Sequence, residues 1–206
     1  AAELAGLAKL VNAGTDFSGQ TVYLDADVDL GGHDWTPIGQ VTALAKDSIQ
    51  GSAFAGVFDG QGHTVHGLSL KFAEGNLGYG LFGYSTGSIS DVSVASDGVI
   101  DLSGVTADLT PFGAIVGFNN GGTVSRCTSA ARITDDGTET DTRRSLNVGG
   151  IVGINDYGGV VEYCVNLGSI HLPTPRATSV RMSILCSATG HIFQCGDVNA
   201  APLGPV

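Results

Sequence analysis

GAIVGFNNGGTVSRC, residues 113–127, returns later in the chain as GIVGINDYGGVVEYC, residues 150–164. An earlier copy, GLFGYSTGSISDV, occupies residues 80–92. The glycines that end the three apolar blocks, Gly83, Gly117 and Gly153, lie 34 and 36 residues apart. A repeat of this length is typical of solenoids, in which every repeat forms one coil that stacks on its neighbours.

Two positions of the repeat contain only apolar residues. We predict that each position forms a column of side chains inside the stack, with neighbours about 4.8 Å apart. The first column is predicted to contain Val65, Ile89, Val124, Val161 and Ile192, and the second Leu68, Val92, Cys127, Cys164 and Cys195.

The segments TVSRC and VVEYC lack the i, i+4 apolar stripe of a helix. We therefore predict two short strands joined by a bend in each copy. The pairs Gly121-Gly122 and Gly158-Gly159 are predicted to form tight turns, because glycine adopts positive φ without steric cost. The predicted fold class is all-β, a parallel β-helix.

The two ends of the chain differ from the repeats. Leucines and a valine at helical spacing predict a short N-terminal helix that covers the open first coil. These residues are Leu4, Leu7, Leu10 and Val11. The predicted single domain therefore has a cap helix over 1–14, coils over 15–198 and a tail over 199–206. We also expect this chain to be part of a larger polypeptide.

Three further segments carry structural predictions. TVYLDADVDL, residues 21–30, alternates apolar and polar residues and predicts one half-buried strand. The polar segments 97–111 and 134–147 lack the copied pattern and are predicted to be loops inserted between coils.

Composition excludes several classes of partner. Nine basic against 20 acidic residues give a net charge of −11. Nucleic acid is therefore not an expected partner, because backbone binding requires a basic stripe. No run of 18 apolar residues exists, so the sequence predicts no membrane insertion.

The blocks GLFG (80–83), GAIVG (113–117) and GGIVG (149–153) resemble the GLUG repeats of bacterial cell-surface proteins. The preceding segments WTPIG (35–39) and FAGVFDGQGHTVHGL (54–68) are similar to the region before those repeats in large Gram-positive adhesin-like proteins and IgA-specific metallopeptidases. The resemblance implies a right-handed parallel β-helix, secretion and display on the bacterial cell surface.

From this resemblance we expect a non-catalytic extracellular segment of an adhesin-like protein. Its expected partner is a protein or a glycan on a host or bacterial surface, and no cofactor is expected. Two alternatives are an accessory region of a secreted peptidase, although H-E-x-x-H is absent from this sequence, and a carbohydrate-active enzyme, either a polysaccharide lyase or a glycoside hydrolase.

A glycoside hydrolase would need two carboxylates facing each other across a groove. Asp91, Glu162 and Asp197 lie close in the copy register but in different columns. A lyase would need a basic residue, and no Lys or Arg cluster falls on a repeat column. We therefore predict no catalytic residue.

Two clusters of ionisable side chains are candidate sites. Asp25, Asp27 and Asp29 are candidate calcium ligands, because calcium prefers carboxylate oxygens, and the alternative is a solvated acidic face. Asp59 could act with His63 as an acid–base pair, with His66 close by. The favoured interpretation of this cluster is a tight turn in which the aspartate bonds its own backbone.

The remaining candidates lie in the repeats and in WTPIG. Cys127, Cys164 and Cys195 are predicted to be free, stacked thiols, with an inter-coil disulfide as the alternative. Asn119 and Asn155 are equivalent and predict a hydrogen-bonded ladder. Tyr157 and Tyr163 are the candidate ligand-surface residues, whereas Trp35 is predicted to pack into a corner.

Overall fold

The chain forms a parallel β-helix preceded by one helix. The computed structural model describes residues 1–45, 48–105, 110–135 and 145–172, and the strand segments 179–183, 186–188, 191–193 and 196–197. Its helix, α1, spans Ala2–Asn12. The predicted fold class is confirmed, and the tail 199–206 lies outside the described residues.

The strands are short and follow one another around each coil. Coil one contains β1 (Thr21–Tyr23) and β2 (Val28–Asp29), and a hairpin of β3 (Gln40–Ala45) and β4 (Ser48–Ser52) follows it. Coil two contains β5 (Val57–Asp59), β6 (Thr64–His66), β7 (Ser69–Lys71) and β8 (Phe82–Ser85). Coil three contains β9 (Ser88–Ser90), β10 (Ser93–Val94), β11 (Val99–Asp101), β12 (Thr110–Gly113) and β13 (Val116–Asn120).

The later coils repeat this order. Coil four contains β14 (Thr123–Ser125), β15 (Thr128–Ser129), β16 (Arg132–Thr134), β17 (Ser145–Gly149) and β18 (Val152–Asp156). Coil five contains β19 (Val160–Glu162), β20 (Val165–Asn166), β21 (Ile170–His171), β22 (Ser179–Ser183) and β23 (Cys186–Ala188). Coil six contains β24 (His191–Phe193) and β25 (Gly196–Asp197).

Equivalent strands of successive coils pair in parallel and form sheets along the stack. The first sheet is β1-β5-β9-β14-β19-β24 and the second is β2-β6-β10-β15-β20-β25. The third is β7-β11-β16-β21, the fourth β12-β17-β22 and the fifth β8-β13-β18-β23. The hairpin β3–β4 is antiparallel and stands outside this stack.

The first apolar column is confirmed at its centre. Ile89, Val124 and Val161 lie in register on adjacent strands of the first sheet and are fully buried. Phe58, not Val65, continues the column below them. Val65 instead pairs with Val94 in the second sheet, because residues 60–63 lengthen the bend of coil two.

The second column is confirmed for Val92, Cys127 and Cys164. Thr128 pairs with Ser93 of coil three and with Val165 of coil five. The residues directly before these three therefore lie over one another. Leu68 was wrongly assigned to this column: it directly precedes β7 and lies one corner further along the coil. Cys195 lies outside the described residues.

The repeated glycines mark places where backbones of different strands meet. A β-carbon on Gly153 would lie 2.6 Å from the Phe112 nitrogen and 2.7 Å from the Gly117 oxygen. A β-carbon on Gly117 would collide with the Tyr79 nitrogen. Glycine therefore lets the fifth-sheet strand of one coil lie close to the backbone of the preceding coil. The turns predicted at Gly121 and Gly158 are confirmed, with φ of 76° and 78°.

Helix α1 covers the first coil, as predicted. Leu4, Leu7, Ala8 and Val11 are buried and belong to the main core. Leu10, expected on the same face, is 52% exposed. The buried stripe passes through Ala8 instead, because positions 4, 7, 8 and 11 share one side of a 3.6-residue helix.

Two sequence predictions about strands were wrong. Residues 21–30 form β1 and β2, which belong to different sheets, and Ala26 between them is exposed. The alternating pattern thus crosses a corner of the coil. The segments 97–111 and 134–147 are not simple loops, because they contain β11, the first residues of β12 and β17, and the end of β16. Residues 106–109 and 136–144 lie outside the described residues.

The hairpin β3–β4 was not anticipated. It lies beside the outer face of the fifth sheet, where Val41 packs with Tyr84 and Phe118 in a second, smaller cluster. The Tyr84 and Phe118 rings stack with centroids 5.8 Å apart. Among the described residues, no helix has the length and apolar character needed to cross a membrane.

Candidate ligand-contact surface

The outer faces of the first and second sheets change character along the stack. In the first sheet, the strand residues on either side of the buried column point outward. One outward position reads Ser88, Thr123 and Val160 in coils three to five. In the second sheet the corresponding series is Ser93, Thr128 and Val165. Coil five thus replaces hydroxyl side chains by valine.

The bend between the first and second sheets carries one non-glycine residue with left-handed backbone in each of four coils. These residues, which we call the corner column, are Gln61, Asp91, Arg126 and Tyr163, with φ of 50°, 56°, 52° and 53°. The left-handed conformation costs an ordinary residue roughly 1 kcal/mol, because its β-carbon crowds the backbone. The bend itself was predicted, but not its conformation.

Polar members of the corner column bond to neighbouring coils. Arg126 donates from Nε and Nη2 to the two carboxylate oxygens of Asp91, at 2.7 and 2.6 Å. These hydrogen bonds lower the pKa of Asp91 and raise that of Arg126. Gln61 donates from Nε2 to Asp25 Oδ1 at 3.1 Å. The column therefore links coil one to coil two and coil three to coil four.

Tyr163 occupies the next place in the corner column and is 51% exposed. Tyr157 lies in the turn before β19 and is 58% exposed. The φ of Tyr157 is 53°, equal to that of Tyr163, so both tyrosines have left-handed backbone. The equivalent turn before β14, Asn120-Gly121-Gly122, is one residue shorter. Tyr157 and Tyr163 therefore stand at the two ends of β19.

The three candidate calcium ligands lie along coil one and bond to different groups. Asp27 Oδ1 accepts from the Thr64 amide at 2.8 Å and faces His63 Nδ1 at 3.2 Å. These contacts lower the pKa of Asp27. Asp29 Oδ1 accepts from the Gly31 amide at 2.7 Å, within its own turn. The described residues contain no group of three or more acidic, histidine or cysteine side chains arranged to bind a metal.

The acid–base candidates do not face one another. Asp59 Oδ1 accepts from the Gln61 amide at 2.9 Å, which confirms the tight-turn interpretation. His63 faces Asp27 instead, and His66 Nδ1 lies 3.5 Å from Asp97 Oδ2.

The candidate carboxylates of a hydrolase are also separated. Asp91 is bound to Arg126. Glu162 lies in the first sheet in register with Ser125, whereas Asp197 lies in the second sheet in register with Asn166.

The predicted interior side chains have structural partners. Cys127 and Cys164 are buried and free, and their Sγ atoms lie 3.3 Å from the carbonyls of Ser125 and Glu162. The hydrogen bond with the Cys164 thiol and burial raise the pKa of Cys127 well above its ordinary value.

Two further predictions about side chains are confirmed. Asn119 Nδ2 donates to Asn155 Oδ1 at 2.7 Å, which forms the expected ladder. Trp35 is half-buried against the core, and its Nε1 donates to the Leu81 carbonyl at 3.1 Å.

One feature of the sequence indicated the corner column but was not used to predict it. Asp91, Arg126 and Tyr163 each precede an interior residue of the second column by one position, so their alignment was visible. Their left-handed backbone was not, because it follows from stacking and not from residue type. No protein-family model, no curated protein and no solved structure matches this chain.

Proposed function

We propose that the chain is a non-catalytic β-helical module that presents a contact surface to another molecule. The observation that carries this proposal is the placement of Tyr157 and Tyr163. Both are more than half exposed, and both occupy left-handed backbone. Glycine or asparagine would occupy these positions at lower conformational cost. Two exposed aromatic rings held on such backbone support a role in contact with a ligand.

The carboxylates support a non-catalytic function. Among the described residues singled out as candidates, Asp59 bonds within its turn and Asp91 is held by Arg126. Glu162 has Ser125 as its register neighbour in the coil below, not a second carboxylate. A hydrolase needs two carboxyl groups across the scissile bond, and these positions do not supply that geometry.

An extracellular location completes the proposal. It is supported by the resemblance of the Gly-rich blocks to GLUG repeats of bacterial adhesin-like proteins. The net charge of −11 suits exposure to solvent and opposes binding to nucleic acid. On this proposal the stack is a stiff support, and the outer side chains of its coils make the contacts.

Two assays test the proposal. Purified chain is incubated with a panel of polysaccharides, and newly formed reducing ends and unsaturated uronates are measured. We expect none, and release of product would favour a carbohydrate-active enzyme and overturn the proposal.

In the second assay, antibodies against the chain are applied to intact source cells. Labelling before permeabilisation supports display, and labelling only after lysis contradicts it.

A further inference from the structure

We infer that the outer surface of coil five binds a neutral glycan. This inference rests on the proposed function and names the ligand class of its contact surface. The coil-five surface comprises Tyr157, Val160, Glu162, Tyr163, Val165 and Leu167.

The coil-five surface carries apolar side chains where coils three and four carry hydroxyls or alanine, although the first-sheet position is also apolar in coil two, where it is Val57. Val160 and Val165 stand in register with Thr123 and Thr128 of coil four. Leu167, at the position occupied by Ala130 in coil four, is among the exposed large apolar side chains. A contiguous exposed apolar surface indicates a binding site more often than an accident of composition.

The two tyrosines flank one strand. Tyr163 directly follows β19, whereas Tyr157 lies in the turn before it, with Gly158 and Gly159 between them. The strand is held in register by β14 on one side and β24 on the other. A tyrosine ring offers an apolar face to C–H groups and a hydroxyl for hydrogen bonding. An extended oligosaccharide along β19 can therefore contact both rings.

Charge favours a neutral ligand. Residues 145–172 contain no Lys or Arg. The nearest guanidinium in the corner column, Arg126, is already bound through two hydrogen bonds to Asp91. Glu162 lies between the tyrosines and is partly exposed. Its carboxylate repels anionic ligands but accepts hydrogen bonds from sugar hydroxyls.

Size favours a glycan over a protein. Among the described residues, six form the coil-five surface, whereas a stable protein interface uses about 20–30 residues on each side. A ligand of a few sugar units needs no more contacts than these six residues provide.

The experiment compares three substitutions. Tyr157→Asn and Tyr163→Asn remove one ring each, and asparagine tolerates the left-handed backbone. Tyr23→Asn is the matched control, because Tyr23 is 58% exposed but lies in coil one. Each protein is applied to immobilised neutral oligosaccharides of hexoses and N-acetylhexosamines, with sialylated and uronate oligosaccharides for comparison. Affinities for bound sugars are measured by calorimetry, and thermal unfolding checks the fold.

We expect the chain to bind neutral sugars in preference to anionic ones. Tyr157→Asn and Tyr163→Asn should each weaken binding at least tenfold without lowering the unfolding temperature, and Tyr23→Asn should change affinity less than twofold. Failure to bind any neutral sugar, a preference for anionic sugars, equal affinity of all variants, or capture of a protein through these tyrosines would overturn the inference. Mass spectrometry of the recovered sugar separates the two hypotheses, because cleavage would overturn the proposed function.

Discussion

Individual glycines set how closely the backbones of successive coils approach. A β-carbon on Gly117 would collide with the Tyr79 nitrogen and lie 2.9 Å from the Gly83 oxygen. Backbone atoms cannot rotate away as a side chain can. We therefore expect Gly117→Ala to lower the free energy of unfolding by about 3 kcal/mol, at the upper end of overpacking costs. Urea unfolding measures this change.

Gly6→Ala is the matched control for this substitution. Gly6 lies inside α1, and a β-carbon there meets no atom within 4 Å. Alanine should raise the free energy of unfolding by about 0.5–1 kcal/mol, because it lowers the entropy lost on forming a helix. Equal effects of the two substitutions would contradict the backbone-contact explanation.

The Asp91–Arg126 pair predicts a dependence of stability on pH. Because Arg126 lowers the pKa of Asp91 below 3.8, the pair stabilises the fold above that pH. The contribution is lost as pH falls through the folded-state pKa. Both side chains are partly exposed, so we expect at most about 1 kcal/mol.

Arg126→Gln tests this dependence. Gln61 occupies the same corner column, so glutamine suits the backbone. Wild type should exceed the variant in unfolding free energy at pH 7, and the difference should shrink as the pH falls below 3.8. A difference that persists in acid would show that the arginine acts through packing instead of charge.

Residue-level prediction succeeded where one residue type repeats for one physical reason. Ile89, Val124 and Val161 were found because a dry column admits only apolar side chains. Val65 was assigned to the wrong column because the bend of coil two is longer than the others. Alignment of the repeats by residue type does not detect such an insertion. The left-handed conformation of Arg126 and Tyr163 could not be predicted, since stacking with adjacent coils overrides the intrinsic preference of these residues.

Among the elements, α1 has the clearest separate contribution, since it covers the end of the core. Leu7 is buried on its inner face, whereas Leu10 is 52% exposed. Leu7→Ala should lower the free energy of unfolding by about 2–3 kcal/mol, and Leu10→Ala by less than about 0.5 kcal/mol. Thermal or urea unfolding of both variants checks the expectation. Similar losses would mean that α1 does not seal the first coil.

The sequence identified the helix and the first and second sheets, because their patterns are periodic. It missed the third and fourth sheets, whose strands differ in residue type from coil to coil and lie partly in the polar segments 97–111 and 134–147. The hairpin β3–β4 was not predicted either, because its sequence has no second copy among the repeats. Tyr157 and Tyr163, chosen as candidate ligand-surface residues, are exposed, and their shared backbone conformation emerged only from the structure.

At the scale of the whole molecule, stability passes from each coil to its neighbours. β14 is bonded to β9 and β19, whereas β1 stands at the edge of the first sheet and is bonded to β5 alone. In such a stack the inner coils open less often than the outer ones. Amides of β14 should therefore exchange with deuterium at least about tenfold more slowly than those of β1. Uniform exchange along the first sheet would instead indicate that all coils unfold as one unit.

The corner column also bears on how such a protein can change over time. Glutamine, aspartate, arginine and tyrosine occupy it with φ values within a few degrees of one another. The path of the chain at this corner is thus insensitive to the side chain it carries. A single substitution can replace a charge by a ring, and so alter what the molecule recognises, while the interior stays untouched. Evolvability of recognition follows here from the rigidity of the backbone.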